Sequence, residues 1–254
     1  MNKTHYRLKK RLYRLKSIRR RRGFGIHSPF VFHLVTKVIG GKLHDVVIEE
    51  MKDIRKQTIE YLKREEKVDG VGIDIGRKLK QEIKRLKKEV SVDKLIFRLM
   101  NFIQPKSPIF VGDEIGISVG YMAKVDERVP LHWLRTDIEL TAYQRFVLDK
   151  LNAENIIREE NICIDTFSEI DFLVLSDSTS KQILQQFTAN IEQALSENSF
   201  VMIKNIHRNE ALRELWLEWK EMEIFTYSLD LFQIGILIRR KGMRRHNYVL
   251  KYRF

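Results

Sequence analysis

Apolar residues recur every three or four positions through the first hundred residues and gather into short unbroken runs after that. The change of period separates a helical stretch from one in which strands and helices alternate. In "HYRLKKRLYRLKSIRRRRG", Leu8, Leu12, Leu15 and Ile18 place a narrow apolar stripe on a cationic helix. Gly23 and Gly25 end it. Ser28 is placed to cap a second helix that begins with Pro29 and runs to about Gly40. A charged helix follows from Asp45 to Glu66. Leu79, Ile83 and Leu86 mark another, whose charges read as a solvated face, and "SVDKLIFRLMNFIQP" packs apolar positions densely up to Pro105.

From Pro108 the runs "PIFVG", "LHWLRT", "NICI", "DFLVLS" and "FVMIKNI" read as strands. Between them lie helical patterns through Tyr121, from Glu139 to Leu151, over Lys181 to Leu195 and, after the last, from Asn209 to Met222. Such alternation makes a parallel sheet with right-handed crossovers. In "EIFTYSLDLFQIGILIRR" two apolar runs meet around Asp230 with no room for a helix, so they pair as an antiparallel hairpin at the sheet's edge. Three regions follow: a basic amphipathic arm over 1–22, a helical cap region over 23–105 and an α/β domain over 106–254.

The chain has 254 residues, 43% of them hydrophobic, which is enough for one sizeable core. No apolar run is long enough to cross a membrane, and the charged N-terminus lacks the apolar stretch of a secretion signal, so a cytoplasmic location is expected. The single cysteine, Cys163, reads as a small buried hydrophobe.

A net charge of +13 suggests an acidic partner, and its distribution locates where. Residues 1–22 hold eleven Lys or Arg and no acid, which leaves 36 basic against 34 acidic residues, or +2, for the rest. The arm is therefore the expected contact for a nucleic acid or an anionic membrane surface. Packing of its stripe against its own domain is the alternative.

The stretches "RGFGIHSPFVF", "FVGDEIGISVGYMA" and "SLDLFQIGILI" resemble, in the same chain order, class I S-adenosylmethionine-dependent methyltransferase-like proteins of Bacteroidetes-type bacteria. The resemblance extends over nearly the whole length and implies a Rossmann-like fold: a mostly parallel sheet with a C-terminal antiparallel hairpin. It implies S-adenosylmethionine as cofactor, with Gly112 and Gly116 as the glycines of the binding turn. The family's acidic residue before that turn corresponds to Phe110, leaving Asp113 and Glu114 as substitutes from inside it. Its ribose-binding carboxylate corresponds to Arg135, which has donors only. Asp137 is the nearest replacement, and Asp165 falls near the adenine contact. Where the family carries metal-binding carboxylates this chain has Ser176, Lys204 and Asn205, with Thr179 for a histidine, so no metal is expected. Asp177 is expected to pair with Lys204. His207 does match.

Two functions remain open. One is methyl transfer to an unknown acceptor, with His27, His207 or Lys204 as candidate bases. The other is a catalytically inactive protein of the same fold, acting as a binding or scaffold subunit.

Overall fold

The computed structural model describes residues 8, 10–13, 25–41, 45–68, 72–137, 139–159, 164 and 167–252. Ser28 caps α1 (Pro29–His33), accepting from the Val31 N–H, with Pro29 in the first turn as expected. The helix does not continue as α but widens into a π-helical stretch, Leu34–Ile39. Then come α2 (Val46–Glu65), α3 (Ile73–Lys88) and α4 (Val90–Ile103), with no strand among the described residues before Pro108.

The remainder alternates as the pattern predicts: β1 (Pro108–Val111), α5 (Ile117–Ala123), β2 (Leu131–Leu134), α6 (Ala142–Leu151), β3 (Ile156–Glu159), β4 (Ile170–Leu175), α7 (Lys181–Ala194), β5 (Leu195–Lys204) and α8 (Glu210–Trp219). The chain closes with β6 (Tyr227–Asp230), β7 (Ile234–Arg240) and β8 (His246–Val249). The sheet runs β3-β2-β1-β4-β5-β7-β6-β8. Its first five strands are parallel, and β7 is antiparallel to both β5 and β6, the predicted hairpin. β3 is Ile156–Glu159, which the pattern did not single out, and the strand expected at "NICI" falls on residues 161–164, of which 161–163 lie outside the described residues. β5 begins five residues before the expected Phe200, directly after α7.

Successive strand residues point to opposite faces, so each parallel strand feeds two cores. Phe110, Phe172, Val174 and Met202 meet α4, α5 and the π-helical stretch. Ile109, Val111, Leu173, Leu175 and Val201 meet α7 and α8. A third cluster joins Met51, Leu62, Ile83, Leu86 and Phe97 from the helices before the sheet to Ile115, Ile117, Tyr121 and Leu151 beside it. The glycine turn after β1 and the helices of the cap region thus share one apolar cluster, which fixes what lies over the turn.

Phe97 is buried in that cluster and sits edge-on to Tyr121, 6.1 Å between centroids. Phe97→Ala is expected to cost about 3–5 kcal/mol. In urea unfolding, helical and near-ultraviolet signals are expected to shift together, because the same cluster serves both parts of the chain.

Candidate functional site

The edge formed by the C-terminal ends of β1, β2, β4 and β5 carries the residues that the sequence singles out. β1 ends in a turn that only glycine takes without strain: Gly112 has φ +130° and Gly116 φ +106°. The turn is held by the Gly112 N–H to Leu134 O at 2.9 Å and by the Trp133 indole N–H to Gly112 O at 2.9 Å. Asp113 Oδ1 accepts the backbone N–H groups of Thr136 (3.0 Å) and Asp137 (3.2 Å), tying the turn to the end of β2. Asp137 itself is exposed. Gly112, Asp113, Glu114, Gly116 and Asp137 are therefore brought to one edge, and Asp165 lies outside the described residues.

Glu114 points inward. Its Oε1 accepts from Lys204 Nζ at 2.6 Å and Arg85 Nη2 at 2.6 Å, and also from the Ser176 hydroxyl. Lys204, 1% exposed at the end of β5, also donates to Glu89 Oε2 at 2.8 Å. Arg85 reaches Glu89 Oε1 (3.0 Å) and Asp177 Oδ1 (2.8 Å) besides Glu114. The expected Asp177–Lys204 pair is thus replaced: Asp177 takes Arg85 and the Asn205 amide (2.9 Å), because Lys204 already sits between two nearer carboxylates. Ser118 continues the chain of contacts to Asp93 Oδ1 at 2.6 Å, and Asp93 is bound by the buried Arg55.

The energetics of this network follow from burial. Burial alone would raise the Glu114 carboxyl, but Arg85 and Lys204 overcome it and hold the group down at about 2. Burial would lower the Lys204 ammonium, and Glu114 and Glu89 overcome that and push it above its ordinary value. Lys204 therefore stays charged and is no base. Glu89 and Glu82 are both raised, chiefly by burial, and Glu82 Oε2 is buried without a hydrogen-bond partner.

Arg135, buried at the end of β2, lies over the Trp133 ring with its guanidinium carbon 5.0 Å from the centroid. Its Nη2 donates to Gln144 Oε1 (3.1 Å) and Glu139 O (3.2 Å). These residues do not fit a nucleoside held in the usual way at this edge. Arg135 supplies donors where ribose hydroxyls need an acceptor. The space beside Gly112 is also taken, since a Cβ there would lie 2.7 Å from Ser176 Cβ and 2.8 Å from Ser178 Oγ. A cavity of about 230 Å³ lies at the other end of the strands, between Met100, Pro108, Met122 and Leu131.

Of the other candidate bases, His27 is exposed. His207 is positioned by Asp230, with Nε2 to Oδ2 at 2.8 Å, and is covered by the rings of Phe232 and Tyr13. Among the described residues no group of His, Cys, Asp or Glu is arranged to hold a metal ion. Sequence reasoning missed Arg85, Glu89 and Glu82, taken there as a solvated face. The signal was spacing: Glu82, Arg85 and Glu89 repeat at three and four residues, alongside Leu79, Ile83 and Leu86.

No protein-family model matches the chain, and no curated protein does. Solved structures do share its fold. The methyltransferase PaMTH1 from Podospora anserina, bound to SAH, is 14% identical, with a TM-score of 0.55 over 75% of this chain and 88% of its own. A methyltransferase from Geobacter sulfurreducens is 16% identical, with a TM-score of 0.50 over 85% of this chain and 98% of its own. The O-methyltransferase TomG from Streptomyces achromogenes, in complex with SAM, is 9% identical, with a TM-score of 0.50 over 83% and 95%. The chain has the Rossmann-like fold of class I methyltransferases, the architecture expected from its pattern.

Removing one partner from a buried pair leaves an uncompensated charge, so Lys204→Ala is expected to cost about 3–5 kcal/mol in denaturant unfolding. Glu114 adds stability above the ordinary glutamate range that is lost as pH falls toward its folded value of about 2. Glu82 has the opposite sign. Its raised carboxyl favours the folded state at low pH and costs stability as pH rises through the folded value. Glu82→Gln is therefore expected to raise the melting temperature at about pH 7 and to leave it unchanged below about pH 4, the ordinary carboxylate range.

Proposed function

We propose that this chain acts in methyl transfer from S-adenosylmethionine, with a donor seat that Arg85 closes in the form described. The observation that carries the reading is the place of the glycine turn. Gly112 and Gly116 lie at the carboxyl edge of β1, where the sheet order reverses between β1 and β4. In open α/β sheets that crevice is where ligands bind. PaMTH1 and TomG, which share the fold, were solved with SAH and SAM.

The donor supplies an activated methyl group, which leaves the protein the task of aligning an acceptor. On this chain the backbone of the turn is the surface offered to it, and Asp137, exposed at the same edge, is the carboxylate left to take the place Arg135 has given up. Of the three candidate bases, His207 has a partner that orients it. The family resemblance to Bacteroidetes-type proteins belongs to this reading and rests on the sequence motifs alone.

A second reading is favoured by a specific observation: cations stand at the ends of both β2 and β5, and Lys204 and Arg85 neutralise Glu114 from within. An inactive scaffold with its cleft sealed by its own side chains fits that arrangement.

Calorimetry with S-adenosylmethionine and its demethylated product separates the two. Methyl transfer predicts micromolar binding to the intact chain, lost in Gly112→Trp and tightened in Arg85→Met, where nothing spans from α3 to Asp177. No heat up to millimolar ligand in either the intact chain or Arg85→Met overturns the first reading in favour of the second.

A further inference from the structure

Leu8 and Leu12 stand one helical turn apart and are 56% and 53% exposed. What holds that turn in place is Tyr13, whose position on the helix points elsewhere. Its hydroxyl lies between the carbonyl oxygens of Asp230 and Leu250, 2.6 Å from the latter, and its ring is 4.9 Å from Phe232. The Lys10 ammonium lies 5.9 Å from the centroid of the same Phe232 ring. At 100° per residue, Leu8, Leu12 and Arg11 fall on one side of the helix, and Tyr13 and Lys10 on the other. The fold has thus docked the polar and aromatic side and left the leucines bare.

The ground around the docked turn is cationic. Lys84, Lys87 and Lys88 close α3, Arg208 lies in the loop after β5, and all four are exposed. None of them, nor Lys10 or Arg11, forms an ion pair among the described residues, although the buried network beneath them pairs every cation it holds. Arg208 directly follows His207, whose ring lies 6.2 Å from that of Tyr13, and the Lys88 ammonium is lowered, first by burial and then by Lys84, Arg208 and Lys10. In the sequence, residues 1–22 carry eleven Lys or Arg and no acid.

We propose that this rim and the bare leucine side of the arm dock together on an anionic membrane surface. Two adjacent exposed leucines on a basic helix are the feature that decides the partner. A lipid surface takes both, burying the apolar side at the headgroup boundary while the cations meet anionic headgroups. A nucleic acid backbone engages the cations and gives the leucines nothing to enter. A second copy of the chain would set one cationic rim against another. The proposal does not depend on whether the glycine turn binds a methyl donor.

The test is cosedimentation of the full chain with phosphatidylcholine vesicles, with and without phosphatidylglycerol. The expected result is binding only to the vesicles that contain phosphatidylglycerol, weakening with salt. Leu8→Ser combined with Leu12→Ser should reduce that binding about tenfold or more, with an unchanged circular dichroism spectrum because both side chains are exposed. Lys84→Glu with Lys88→Glu should weaken it and flatten its salt dependence. Equal binding by the leucine variant and the parent, or no sedimentation with anionic vesicles, overturns the proposal. Salt-sensitive binding to duplex DNA or single-stranded RNA that ignores the leucine changes, without vesicle binding, assigns the rim to nucleic acid instead.

Discussion

An ammonium group cannot be taken out of water unless the protein supplies opposite charge around it, and Lys204 is almost fully enclosed at the end of β5. That requirement organises the whole carboxyl edge of the sheet. One carboxylate comes from the glycine turn, Glu114, and the other from the junction of α3 with α4, Glu89. Because Glu114 and Glu89 then repel each other, a second cation is needed, and Arg85 supplies it while reaching on to Asp177 at the end of β4. Four separate parts of the chain are held in register by charges that none of them can leave unpaired.

The result is an inversion of sign relative to the family that the sequence resembles. The resemblance puts carboxylates at the ends of β1, β2, β4 and β5, pointing toward cofactor and metal. Here the matching positions hold Phe110, Arg135, Ser176 and Lys204, and the carboxylates have moved to the turn and to α3. Phe110 is buried with Phe172 in the core on one sheet face, so its exchange removes a charge from the edge without opening a hole. Arg135 and Lys204 instead bring charge of the opposite sign, and each has found partners within the chain. An edge that satisfies its own charges binds a ligand only by exchanging partners, which is why Arg85, half-buried and the most peripheral member, is the group on which opening would depend.

The sheet was legible because parallel strands buried on both faces must be continuous apolar runs, as "PIFV" and "DFLVL" are. β3 was hidden for the complementary reason. It is an edge strand, Ile156–Glu159, with Arg158 exposed and only two adjacent apolar residues to mark it. The π-helical stretch Leu34–Ile39 escaped notice because apolar spacing does not separate its wider turn from an ordinary helix. The glycine turn was readable from Gly112 and Gly116, since the backbone there demands that residue type. The network was not, since a charged residue at helical spacing looks the same whether it faces water or a buried partner 29 residues away, as Arg85 does toward Glu114.

That ambiguity is resolved by asking which charges the fold has neutralised. Beyond residue 22 the chain is balanced to within +2, and among the described residues the buried cations Arg55, Arg135 and Lys204 and the half-buried Arg85 all have carboxylate partners. The excess therefore belongs, along the sequence, to residues 1–22, and among the described residues Arg11, Lys84, Lys87, Lys88 and Arg208 are exposed. A positive field from one side of a molecule steers and holds acidic partners, and charge alone would not distinguish among them. The proposed membrane docking turns on the leucines, because Leu8 and Leu12, exposed beside the Tyr13 anchor, gain burial where an apolar phase meets them and gain nothing from a phosphate backbone.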